Sequence, residues 1–296
     1  MSIVTIAICT HNRADDVEVC LQSTSPQAKK LRLKMLIIDS ASAPDQAAKL
    51  KQSADDHGAF YFRCDEPGLS IARNRAHEEA ENEWIVYLDD DAVPHEDWAA
   101  RLVEALSEAD TSTAVIGGKI APRWPDGVDA NHITQRWMLL LSCVTDEGVG
   151  EVSDGHNVCG ANFAIRRSAL EAVGLFPLGL GRIGARLISG EEAYVVARLE
   201  ELGFSSRYDS AFVVDHVIQA ERMQLEWAAK RAYWEGFSRA RLFKKLGRPS
   251  PPAMNPLKLA ASLPALFGLK TFSSDPDFAI RYNMALGSLA EQFART

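Results

Sequence analysis

The stretch "EWIVYLDDDAVPHEDW", residues 83–98, decides the fold. Its apolar core, Ile85 to Leu88, reads as a buried strand, and it halts at Asp89, Asp90 and Asp91. Three adjacent carboxylates repel one another and are costly to desolvate. A fold keeps such a cluster at a strand end when something positive usually sits there. The stretch therefore implies a buried sheet whose strand ends face a ligand cleft.

Working back toward the N-terminus, "IVTIAIC" (3–9), "LKMLIID" (33–39) and "AFYFRC" (59–64) have the same apolar, partly β-branched character. Helical stretches separate them: one from about Ala14 with Asp15 and Asp16 in its first turn, one over "PDQAAKLKQSAD", and one over "GLSIARNRAHEEAEN", with Gly68 and Ser70 as turn and N-cap. "HEDWAARLVEALSEA" follows the acids as a fourth helix. Strands alternating with helices mean an α/β fold with a parallel or mostly parallel sheet covered on both faces. After "TAVIGGKI" (113–120) the regularity fails. "NVCGANFAIRR" reads as a strand, "SALEAVG" as a short helix, "EEAYVVARLEELG" as a helix ended by Gly203, "SRYDSAFVVDHVI" as one or two strands, and "RMQLEWAAKRAYWEGFSRARLFKKLG" as a long helical stretch. Trp137, Trp227 and Trp234 are expected in the core, and "RPSPPAMNP" (248–256) reads as a linker into a helical tail.

A chain of 296 residues suits one large domain or two small ones, and 47% apolar residues exclude wholesale disorder. A net charge of −8 argues against duplex nucleic acid as partner. Five scattered cysteines without a CxxC pair read as reduced thiols. The N-terminus lacks a basic n-region, so no signal peptide is expected, and no stretch reaches the ~18 apolar residues of a spanning helix.

In open parallel sheets ligands bind beyond the carboxyl ends of the strands. Strand one ends in Thr10-His11-Asn12-Arg13, strand two in Asp39-Ser40, strand three leads to Asp65, Gly68 and Arg73-Asn74, and strand four ends in the acidic run. The first βα turn has no GxGxxG and no GxxxxGK[ST] occurs, so phosphates are not expected on a glycine-rich helix entrance. Mg²⁺ or Mn²⁺ held by carboxylates serves instead, bridging to phosphate oxygens.

With these motifs in order — "TIAICTHNR", "LIIDSAS", "GLSIARNRA", "YLDDDAVP", "GANFAIRR", "GLGRIG", "SGEEAYVVARLEELG", "VDHVI" — the chain resembles inverting family 2 glycosyltransferases of the GT-A fold over about residues 3–245. The resemblance implies a nucleotide-diphospho-sugar transferase-like α/β fold, with a mostly parallel central sheet flanked by helices. It implies a GT-A catalytic domain over 1–220, its nucleotide-binding half about 1–120 and its acceptor half about 121–220. A helical C-terminal extension over 221–296 follows.

It also implies roles. Thr10, Asn12 and Arg13 form the strand-one edge of the nucleotide pocket, Asp39 hydrogen-bonds the base, and Arg73 lies near the base or diphosphate. Asp89 and Asp90 belong to the nucleotide side, and Asp91 with His216 binds Mn²⁺ or Mg²⁺. Gly160, Ala161, Asn162 and Arg182 line the donor-sugar and acceptor side, where Trp124 either stacks on a sugar or simply packs. Inverting transfer needs a general base beside the acceptor hydroxyl. The family usually has Glu-Asp at a helix head; here Glu191-Glu192 stands there. Alignment of the pair favours Glu192, and the extra methylene leaves Glu191 as the alternative.

The implied donor is a nucleoside diphosphate sugar, a UDP-sugar favoured, and the acceptor a glycan, lipid-linked or small molecule, in polysaccharide, glycolipid or glycan synthesis. The implied location is cytoplasmic, at the inner face of the membrane if Arg239, Arg241, Lys244, Lys245 and Arg248, with the apolar 257–269 segment, make peripheral membrane contact. Two rivals remain: a sugar-phosphate nucleotidyltransferase, which usually has a glycine-rich basic loop after strand one that is missing here, and a non-catalytic nucleotide-sugar-binding protein.

Overall fold

The structure, a computed structural model, describes residues 3–152, 158–182, 184, 186–249 and 275–294. It divides into two compact units. The first comprises Met1–Arg123, Ser142–Gly179 and Glu191–Val217; the second Trp124–Leu141, Leu180–Gly190 and Ile218–Thr296.

The first unit is built on a nine-stranded sheet. Its strands are β1 (Val4–Thr10), β2 (Lys34–Ser40), β3 (Phe60–Cys64), β4 (Trp84–Asp89), β5 (Ala92–Pro94), β6 (Thr113–Arg123), β7 (Val149–Val152), β8 (Asn162–Arg166) and β9 (Ser205–Val217). They run in the order β3-β2-β1-β4-β8-β6-β9-β5, with β7 on β9. The β3-β2-β1-β4 half is parallel. Beyond β4 the sheet is mixed: β8 is antiparallel to β4 and β6, while β6 and β9 run parallel. Strands buried on both faces have no polar side to show, which is why β1 and β4 read as continuous apolar runs. The "SRYDSAFVVDHVI" region is a single strand, β9, whose register against β6 shifts between Gly118 and Lys119.

Helices α1 (Ala14–Leu31), α2 (Pro44–His57), α3 (Leu69–Glu79), α4 (Trp98–Ser107), α6 (Arg167–Ala172) and α7 (Glu191–Glu201) belong to this unit. One apolar layer joins β1, β2 and β4 to Val17, Leu21, Leu50, Trp98 and Leu102; the other joins them to Ala72, Ala76, Leu170, Val195 and Leu199. Helix α3 starts at Leu69 with Gly68 at its cap position, so Ser70, expected as the N-cap, lies inside the first turn.

The second unit holds α5 (Gln135–Leu140), α8 (Leu225–Lys245) and α9 (Pro276–Phe293). α8 and α9 touch backbone to backbone: a Cβ at Gly236 would collide with the Met284 carbonyl and one at Gly287 with that of Tyr233. Arg241, expected on a solvated basic face, turns instead to Glu291, with Nη2 3.1 Å from Oε2. Trp137 is buried, but Trp227 and Trp234 are only half-buried, a correction to their expected place in the core. The 257–269 segment and most of the expected 248–256 linker lie outside the described residues. Among the described residues no helix is long and apolar enough to cross a membrane.

Candidate active site

Parallel registry brings the carboxyl ends of β2, β1 and β4 side by side: Thr10 lies opposite Asp39, and Cys9 opposite Asp89. The polar residues after each strand therefore gather at one edge, as Thr10-Asp90 contact demonstrates (Oγ1 to Oδ2, 2.7 Å).

At the β2 end Asp39 is fully buried. Its Oδ1 accepts from the Ser42 amide at 2.8 Å, and its Oδ2 from the Tyr61 hydroxyl at 2.6 Å and Arg63 Nη1 at 2.5 Å. Burial opposes its ionisation, but these donors outweigh burial and hold its carboxyl below the usual range. Tyr61, desolvated and bonded to the carboxylate, is pushed up to about 12. Asn12 stands in the left-handed region (φ 56°). It clasps the loop after β2, accepting from Ala43 N at 2.7 Å while its own amide donates to Ser42 Oγ at 2.8 Å.

The acidic run divides at the turn. Asp89 keeps a side chain 36% exposed, whereas Asp90 and Asp91 are buried. Arg13 Nη1 lies 2.7 Å from Asp90 Oδ1 and 3.0 Å from Asp91 Oδ2. Burial works against the charge of Arg13, and Asp90, Asp91 and Asp16 more than restore it. Burial first, with the charge of Asp91 adding, pushes Asp90 up to about 7 despite Arg13 and Thr10. The antiparallel β5–β9 pair sets Ala92 opposite His216, which puts His216 Nε2 3.3 Å from Asp91 Oδ2.

The third cluster surrounds Arg73, on α3. Its guanidinium carbon lies 5.4 Å from the Phe163 ring centroid, 5.5 Å from Phe176 and 5.7 Å from Tyr87, a desolvated cation–π cage. Nη1 is 2.7 Å from Glu191 Oε1 and 3.5 Å from Glu192 Oε1, and Nη2 is 3.9 Å from Asp89 Oδ1. One cation thus links the strand-four acid to both glutamates at the head of α7. The two differ in access: the Glu191 side chain is 2% exposed and the Glu192 side chain 16%. Burial, then the adjacent charge of Glu192, pushes Glu191 up to about 8 against the pull of Arg73. Gly160 leaves no room for a Cβ, which would strike Arg73 Nη2 and Glu192 Oε1. Asn74 fastens the loop carrying Phe176, with Nδ2 to Phe176 O at 3.0 Å and Phe176 N to Oδ1 at 2.9 Å.

Of the residues expected on the donor and acceptor side, Gly160 touches this cluster and Ala161 follows it, fully buried. Asn162 corrects the expectation. It is fully buried, its Nδ2 donates to Lys119 O (3.1 Å) and Phe212 O (3.0 Å), and its Oδ1 accepts from Trp98 Nε1 (3.0 Å). With its polar atoms spent on α4, β6 and β9, it is a tie in the sheet. Trp124, half-buried, and Arg182, exposed, belong to the second unit. The sequence reading missed Tyr61, Arg63 and the aromatic cage. The signal for the first two was present: Tyr61 and Arg63 share one face of β3, and Arg63 lies in register with Asp39.

Among the described residues no group of three or more His, Cys, Asp and Glu side chains is arranged to hold a metal by itself. Asp91 and His216 are the carboxylate and imidazole that would hold a metal here, with Arg13 Nη1 3.0 Å from the same Asp91 oxygen. That donor set fits Mn²⁺, and Mg²⁺ less well, provided substrate phosphate oxygens complete the shell.

Known proteins support the same family. The family model for glycosyl transferase family 2 matches residues 5–174. The glucosyl-dolichyl phosphate glucuronosyltransferase of Haloferax volcanii is 23% identical over 242 residues, 80% of this chain and 76% of that one. The succinoglycan biosynthesis protein ExoM of Rhizobium meliloti is 25% identical over 249 residues, 81% of this chain and 74% of that one. The mannosyltransferase PcManGT from Pyrobaculum calidifontis, solved in complex with GDP-Man and Mn²⁺, has a TM-score of 0.66 at 18% identity, covering 98% of this chain and 87% of its own.

Proposed function

The chain belongs to glycosyl transferase family 2 and is a glycosyltransferase of the GT-A fold, and from that premise we propose an inverting, metal-dependent reaction in glycan synthesis. A sugar passes from a nucleoside diphosphate sugar to an acceptor hydroxyl. The observation that carries this reading is the position of Arg73, in reach of Asp89 on one side and of Glu191 and Glu192 on the other. A transfer site needs the leaving-group side and the base side that close together.

Asp39, ionised and held by Tyr61 and Arg63, accepts from an N–H of the nucleobase, a uracil favoured. Thr10, Asn12 and Arg13 border the nucleotide, and Asp89 takes the ribose. Asp91 and His216 would hold Mn²⁺ or Mg²⁺, which would supply positive charge against that of the departing diphosphate. Glu192, the more accessible carboxylate, takes the proton of the acceptor hydroxyl. The acceptor oxygen then bonds to the anomeric carbon from the face opposite the leaving group, and the bond to the diphosphate oxygen breaks. General-base help of this kind is worth about 10²- to 10⁴-fold. The Haloferax relative, by its name, acts on a glucosyl-dolichyl phosphate. This supports a lipid-linked acceptor, met at the inner membrane face by the exposed Arg239, Lys244 and Lys245.

The test is a thermal-shift panel of UDP-, GDP- and dTDP-sugars with and without Mn²⁺. A UDP-sugar with Mn²⁺ should raise the Tm, since a ligand at a hundredfold excess over its Kd adds about 2.7 kcal/mol. No shift with any sugar nucleotide overturns the reading.

A further inference from the structure

Two of the three rings around the Arg73 guanidinium are fixed by the sheet. Tyr87 on β4 lies opposite Phe163 on β8 in the antiparallel ladder, and the two rings stack at 5.2 Å. The third, Phe176, follows α6 outside every strand and helix. It meets the other two edge-on, 5.4 Å from Tyr87 and 6.4 Å from Phe163. Gly174 and Leu175, just ahead of it, both stand in the left-handed region (φ 83° and 69°). A leucine keeps that conformation only where its surroundings hold it. The ring that closes the cage therefore depends on a fastening of its own.

Asn74, the neighbour of Arg73 on α3, is that fastening. Its Nδ2 donates to Phe176 O at 3.0 Å and its Oδ1 accepts from Phe176 N at 2.9 Å. A side-chain amide bonded to both backbone groups of one residue stands in for a strand neighbour. Phe176 is held 2% exposed, with its ring centroid 5.5 Å from the Arg73 guanidinium carbon. One helix thus carries both the cation and the clamp for the ring that closes on it.

We propose that Asn74 is a positioning residue for the transfer reaction: by clamping Phe176 it closes the aromatic cage and keeps the Arg73 guanidinium in reach of Asp89, Glu191 and Glu192. This rests on the proposed transfer reaction and names a further residue within it. The guanidinium lies 3.9 Å from Asp89 and 2.7 and 3.5 Å from the two glutamates. A shift of about 1 Å would remake all three contacts, and misplacement of that size costs up to about 10²-fold in rate. The attraction between ring and cation is largest where the cation is desolvated, as here, and it acts within about 6 Å of the ring centroid.

The experiment is a double-mutant cycle on kcat and KM, with a UDP-sugar donor and Mn²⁺, for the wild type, Asn74→Ala, Phe176→Leu and the double variant. Leu removes the ring and keeps an apolar filling. Each single substitution should lower kcat about tenfold and move the donor KM less than about threefold. The double variant should also fall about tenfold, because both changes release the same ring from the same cation. A fall of about a hundredfold in the double variant, the product of two independent effects, overturns the assignment. So does unchanged kcat in either single variant. Side-chain ¹⁵N–¹H NMR of Arg73 reads the cage without turnover. Three rings at 5.4–5.7 Å should displace the guanidinium resonances by ring currents, and Asn74→Ala should move them toward their position in Phe176→Leu. Resonances that stay at the wild-type position in Asn74→Ala overturn the assignment, because a tie that served only the fold would lower stability to urea and leave Arg73 in place. If Asn74→Ala does not fold, Asn74→Asp, which keeps the acceptor for Phe176 N and loses the donor, replaces it in both measurements. A wild type that transfers no sugar sinks the reaction itself, and the NMR comparison still decides the clamp.

Discussion

Arg73 and Glu191, 118 residues apart in sequence, form an ion pair whose two side chains are each 2% exposed. A pair this deeply buried contributes little net stability while intact, because desolvation offsets most of the attraction. Removing one member leaves the other charge uncompensated. Arg73→Met is therefore expected to cost about 3–5 kcal/mol in denaturant unfolding and to abolish turnover. A loss under about 1 kcal/mol would mean that Glu191 carries its proton throughout and has no need of the cation.

Asp91→Asn tests the metal-holding pair with His216. It should weaken nucleotide binding in Mn²⁺ about tenfold or more, ~1.4 kcal/mol, while leaving the binding measured in EDTA unchanged. Calorimetry under both conditions separates these. Equal loss in both would show that Asp91 acts on the nucleotide or the fold and not on a metal.

Gly160→Ala places a methyl group against Arg73 and Glu192. The expected cost is about 1–3 kcal/mol of stability, as for overpacking in a filled core, with a larger loss of kcat than the stability change explains. A variant with unchanged kcat would show that the two side chains yield without consequence.

Tyr61→Phe removes one donor from Asp39 and should cost about 1 kcal/mol at neutral pH. The pH dependence has a definite sign. Asp39 is held below its ordinary value, so its contribution is present above an unfolded pKa of about 3.9 and is lost as pH falls through the lower folded value. With the donor gone, that loss should begin at higher pH. Tyr61 is raised from 10.0 to about 12, so its contribution is full below the first value and disappears on the way to the second. The Phe variant should lack this alkaline decline. Unfolding curves across pH that superimpose on the wild type would contradict both statements.

The order of strands and helices was legible because burial on both sheet faces leaves a local mark, the unbroken apolar runs of β1 and β4. Their carboxyl ends were legible as well, since a strand that stops at "THNR", "DS" or "DDD" has no apolar reason to stop there. From these the α/β architecture and one polar edge follow without coordinates, and the ordered motifs pointed to the family.

Tertiary structure decided which groups are spent and which remain accessible. Asn162 looked like a ligand contact until its atoms were found on Trp98, Lys119 and Phe212. Glu191 and Glu192 are the same residue type one position apart, and only the cage around Arg73 distinguishes them. The reason is physical. Periodicity and composition report whether a segment is buried, whereas hydrogen-bond partners and desolvation depend on strand register and on residues a hundred positions away.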